Sequence, residues 1–160
     1  ALLEMAEHAQ SSQLNDLLIH HRKETEQQIS RLEKIFNLLD IDINSSKLRG
    51  MQNLSEQGKE LLKTLLDFNF TDRSKGMDGI ISEGKELIRH FKETGASDFA
   101  LISAGEKVEH FEIACYVPLI LISEKMGQAE VSSLLQASLD EEQAMEEKIQ
   151  SFAKEEIAIF

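Results

Sequence analysis

Acidic side chains and an imidazole recur inside segments that otherwise read as buried helix, and that conflict locates the chemistry of this chain. The sharpest case is Val108-Glu109-His110-Phe111-Glu112-Ile113-Ala114-Cys115-Tyr116. On a helix, positions 105, 108, 109, 112, 115, 116 and 119 share one face and read Gly, Val, Glu, Glu, Cys, Tyr and Leu. Glu112 stands at the centre of this apolar stripe and Glu109 shares its face, whereas His110 is turned aside. An ionised carboxylate in such a place is costly unless a cation, hydrogen-bond donors or a metal compensates.

Two other segments repeat the conflict. From Leu14 to Leu39 the apolar positions Leu14, Leu17, Leu18, Ile29, Leu32, Ile35, Phe36 and Leu39 keep helical spacing, with His21, Glu24 and Gln28 filling a gap on the same face. A lone His or Gln on an apolar stripe is most often a hydrogen-bonded core residue. Three consecutive polar insertions are harder to accommodate, because each needs its own buried partner. Near the C-terminus, positions 135, 139, 142, 145, 146 and 149 form one stripe that places Glu142 inside, with Glu141 and Glu146 on its borders. A solvated acidic face accounts for most of the remaining acids there. Convergence of the interior groups would make a cluster that a cation stabilises, and carboxylates with one or two imidazoles suit iron or manganese.

Several helices are needed to hold these groups. Ala1 to Ala9 reads as mid-helix, so the first helix is expected to begin before Ala1 and to stop near Gln10. Ser11 and Ser12 can cap a long second helix. Asp40 to Ser46 breaks the periodicity. Gly50-Met51 and Gly58-Lys59-Glu60-Leu61 then recur as Gly76-Met77 and Gly84-Lys85-Glu86-Leu87, which predicts two short, duplicated helices in an insertion over about residues 46–95. Gly58 and Gly84 in helix interiors mark close packing against the bundle. A further helix is expected from about Asp98 to Met126, with Gly127 as its terminator and a kink at Pro118, which cannot bond to the Ala114 carbonyl, and a last one from Ala129 to Ala158. The result is a single all-α domain over residues 1–160.

Composition agrees. One Pro, eight Gly and no Trp, with abundant Leu, Glu, Lys, Gln and Ala, favour helices. A net charge of -12 argues against nucleic acid or an anionic membrane surface as partner. No run reaches the length of a membrane span and no leader opens the chain, so a cytoplasmic location is the default expectation. The single Cys115 lies on the apolar face and reads as a buried, inert thiol.

The segment Val108 to Tyr116 resembles the V-E-H-[YF]-E-I-A-x-Y motif of the YciE/YciF family of bacterial, stress-associated, ferritin-like proteins. His21-x-x-Glu24-Thr25 is similar to its H-x-x-E-T element, and Leu139-Asp140-Glu141-Glu142 to its L-x-E-E element. The resemblance implies a ferritin-like antiparallel four-helix bundle, here with two extra short helices between the second and third bundle helices. It also implies a di-iron or di-manganese centre without an organic cofactor. Its ligands would be His21, Glu24, Glu109, Glu112 and Glu142, with Gln28, His110, Tyr116, Glu141 and Glu146 as supporting residues. Position 145 is Met where the usual di-iron pattern has a His after Glu142. The expected role is handling of peroxide or oxygen, by an oxidase- or peroxidase-like reaction if the centre is catalytic, in a homodimer. The alternative is a metal-free helical-bundle interaction or structural protein whose interior acids are protonated.

Overall fold

The computed structural model describes residues 2–39 and 75–157, and every regular element among them is an α-helix. The helices are α1 (Leu2–His8), α2 (Ser12–Leu38), α3 (Lys75–Phe91), α4 (Ser97–Lys125) and α5 (Ala129–Ile157). The predicted long helices match α2, α4 and α5 to within about a residue at most ends. Of the two duplicated short helices, the second is α3; the first lies outside the described residues, as does the Asp40 to Ser46 break.

Local chemistry sets the ends. Ser11 caps α2, its hydroxyl accepting from the Leu14 N–H at 3.4 Å. The buried Asp98 carboxylate accepts from the N–H groups of Gln10 and Ser11, both at 2.8 Å, and so ties the α1–α2 turn to the start of α4. At the other end of α4, Gly127 takes φ 70°. The Gln128 N–H then reaches the Ser123 carbonyl and the Gly127 N–H reaches that of Glu124, the paired bonds that close a helix over a left-handed residue. α4 runs through Pro118 to Lys125 without interruption.

Cross-helix contacts give the topology. Pairs between α2 and α4, such as His21 with Glu109 and Gln28 with Tyr116, keep a constant separation of 88 residues, so these helices run parallel. Pairs between α5 and either α2 or α4, including Arg31 with Glu141 and His110 with Glu146, run antiparallel. Two helical hairpins, α1–α2 and α4–α5, are thus joined by one long crossover that contains α3. That connectivity makes a ferritin-like bundle of α1, α2, α4 and α5. Gly84 of α3 lets that helix approach α4 closely: a Cβ there would sit 3.3 Å from the Ala104 Cβ.

The interior is divided. One apolar cluster gathers Leu14 and Leu18 with Leu101, Met145, Ile149 and Phe152; another gathers Ile35 and Phe36 with Leu119, Leu135 and Leu139. Each such fully buried side chain contributes on the order of 1.5–3 kcal/mol. Between the clusters lies a polar waist that this burial must carry. Ile29, expected on the inner face, is 53% exposed. Leu14, Leu18, His21, Gln28 and Ile35 take the inward positions of α2, and residue 29 stands about 100° round the helix from Gln28.

Candidate metal centre

The waist brings together the groups that the three long helices insert. His21 is 1% exposed, Glu109 1% and Glu142 0%. Glu112 is only partly buried, so Glu109, not Glu112, is the most deeply enclosed acid of α4. Which residue of a stripe faces the axis depends on how α4 is rotated against α5, a quantity no single-helix pattern contains. One donor atom from each of His21, Glu109, Glu112 and Glu142 lies within 4.8 Å of the others.

Around the imidazole, His21 Nε2 stands 3.3 Å from Glu109 Oε1 and 3.4 Å from Glu142 Oε2. Its Nδ1 faces Glu24 Oε2 at 3.2 Å. Glu24, expected among the ligands, thus sits on the far ring nitrogen, and its other oxygen is 3.2 Å from His20 Nε2. The cause is helical spacing: residues 20, 21 and 24 lie within one turn, so the carboxylate reaches both rings. An Nδ1–H donated to Glu24 leaves the Nε2 lone pair directed at the acids, the arrangement in which a carboxylate orients a metal-binding histidine.

Glu109 Oε2 and both carboxylate oxygens of Glu142 are buried and have no hydrogen-bond partner. Burial, and then the proximity of Glu142, raises the Glu109 carboxyl far above the usual range. The same causes raise Glu112. Acceptors facing acceptors in a dry interior require protons or a cation. One nitrogen and three carboxylates fit iron or manganese in donor type, and the three unpartnered oxygens supply the valences such an ion would fill.

The supporting residues form a neighbouring layer. The Tyr116 hydroxyl donates to Gln28 Oε1 at 3.4 Å, and Gln28 Nε2 donates to Glu141 Oε2 at 3.1 Å. Arg31 grips Glu141 with two bonds of 2.6 Å and reaches Ser138 Oγ at 3.3 Å. Glu141 is therefore held by a guanidinium, which lowers its carboxyl against the effect of burial. Sequence reading missed Arg31 and Ser138; the signal was the spacing of Arg31, three residues after Gln28 and seven after Glu24 on the same side of α2. His110 is turned outward as expected. It donates from Nδ1 to the Glu106 carbonyl at 2.7 Å and places Nε2 3.0 Å from Glu146 Oε1, away from the cluster. Cys115 is buried, and its thiol is pushed up to about 11 by burial and by Glu112, as befits an inert sulfur.

A family profile described as "Domain of unknown function (DUF892)" matches residues 1–72 and 64–160. The chain belongs to the DUF892 family. Its similarity to YciF of Escherichia coli strain K12 is 28% identity over 154 residues, spanning 96% of this chain and 77% of that protein. The crystal structure of the E. coli stress protein YciF superposes with a TM-score of 0.73 at 27% identity, covering 98% of this chain and 83% of the other. YcfI from Rhodopseudomonas palustris, described as a candidate structural protein, gives 0.69 at 27% identity, with coverages of 93% and 78%. This DUF892 chain is thus YciF-like along nearly its whole length. No helix among its described residues is long and apolar enough to cross a membrane.

Proposed function

We propose that this DUF892 protein is a metal-dependent stress protein whose bundle centre binds two ions of iron or manganese and handles peroxide or oxygen. The observation that carries the reading is the set of three buried, unpartnered carboxylate oxygens on Glu109 and Glu142 beside His21 Nε2. His21, Glu109, Glu112 and Glu142 would hold metal, with Glu24 orienting His21 from its far ring nitrogen and standing next to the set as a further carboxylate. A bound redox metal would supply electrons for reducing the oxidant. The protein's own share is to fix the His21 ring through Glu24, to keep acids concentrated in a dry waist and to exclude water with the apolar clusters on either side. Among Glu109, Glu112 and Glu142, the partly buried Glu112 is the one carboxylate that is not fully enclosed.

The competing reading is a metal-free interaction or structural protein. It is favoured by the raised carboxyls of Glu109 and Glu112, which keep those acids protonated at neutral pH. Metal analysis of protein produced with added iron or manganese separates the two. Bound metal in the wild type and its loss in Glu112→Ala, together with peroxide consumption by the wild type alone, are expected. Unchanged metal content in the variant sinks the site assignment, and metal-free wild type with stability indifferent to chelators establishes the competing reading.

A further inference from the structure

The acids of the waist do not stand on an equal footing. His21, Glu109, Glu112 and Glu142 already point donor atoms at one another. Among the described residues, the neighbouring carboxylates are engaged: Glu141 by Arg31 and Gln28, and Glu146 by His110 and Gln150. Met145, one turn from Glu142, lies in the apolar cluster and offers no second imidazole. Glu24 is the remaining acid, and both its oxygens are taken up by His20 and His21. The described residues present one converged donor set and one conditional donor.

We propose that the two metal positions of this centre are unequal: the His21, Glu109, Glu112 and Glu142 set receives the first ion as it stands, and Glu24 must release His20 and His21 before a second ion is held. This rests on the reading of the cluster as a metal centre. Release from His20 is easy because that imidazole is exposed and Glu24 is only partly buried, so the bond between them is weak, whereas the bond to the buried His21 is the one that resists. Release also has a cost at the first position. While Glu24 accepts from His21 Nδ1–H it fixes the ring and strengthens Nε2 as a donor, and losing such a partner weakens metal binding by about 10- to 100-fold. The two binding steps therefore oppose each other.

Calorimetric titration of the whole chain with Mn2+, paralleled by Co2+ absorption spectra, tests this. The wild type is expected to bind in two steps separated by about 10- to 100-fold. Glu24→Gln retains an amide oxygen that can accept from His21 Nδ1–H, so it should keep the first step within a few-fold and lose the second. His20→Ala frees one oxygen of Glu24 and should strengthen the second step, whereas Glu142→Gln should lose both. Melting curves of each variant confirm folding. Two indistinguishable steps, a limit of one ion per chain, or loss of the first step in Glu24→Gln overturns the proposal. A wild type that binds no ion removes the underlying reading and the proposal with it.

Discussion

Two polar layers lie side by side in the same bundle and solve the problem of burial in opposite ways. In the layer of Arg31, Gln28, Glu141, Ser138 and Tyr116, donors and acceptors alternate and the one carboxylate is gripped by a guanidinium. In the layer of His21, Glu109, Glu112 and Glu142, carboxylates face carboxylates across a single imidazole, and three oxygens have no partner. The first layer is complete with protein atoms alone, as buried polar networks generally are. The second requires protons or a cation. Burial of polar groups is therefore no mark of a ligand site by itself; an unbalanced set of acceptors is.

The comparison breaks first on pH. Without metal, Glu109 and Glu112 are protonated in both folded and unfolded chains below the usual carboxyl value of 4.5. Above it the unfolded chain loses those protons while the folded one keeps them, so the unfolded state gains. Stability of metal-free protein should fall from about pH 4.5 towards about 8, where Glu112 ionises in the folded state as well. The slope approaches roughly 1 kcal/mol per pH unit for each such carboxyl. Saturating Mn2+ should abolish or reverse the trend, because an ion favours the deprotonated forms. Thermal melts across this range with and without metal read both; a metal-free stability that rises with pH contradicts the assignment.

The balanced layer should respond to a different change. Arg31→Ala leaves Glu141 without its cation and should cost about 1–3 kcal/mol in chemical denaturation, with Mn2+ affinity unchanged within a few-fold. Loss of metal with little loss of stability would mean that the two layers are one functional unit. The smallest effect belongs to His110→Ala. Its pairing with Glu146 is on the surface, so denaturation should shift by less than about 0.5 kcal/mol and metal content should not change.

The sequence was most legible where signals were local. The ends of α2, α4 and α5 follow from Ser11, Gly127 and an unbroken 3.6-residue period, and the interior positions of His21, Glu109 and Glu142 follow from the same period. It was least legible where the answer depends on how one helix is turned against another. Glu24 shares a face with His21, yet only packing decides that one reaches the axis and the other holds the first in place. The partnership of Arg31 with Glu141 spans 110 residues and left only a spacing hint in α2. The difference in depth between Glu109 and Glu112 reflects the same rotational freedom.

The long crossover bears on how the protein assembles. Each hairpin joins helices that are neighbours in the chain, and its contacts close over short loops. The cluster instead joins residue 21 to residues 109 and 142, a closure whose entropic cost is met only once both hairpins exist. His21 and the acids of α4 and α5 come together at docking, not at helix formation. An ion that needs all of them thus has little affinity for either hairpin alone and is held only where the two halves of the molecule have become one.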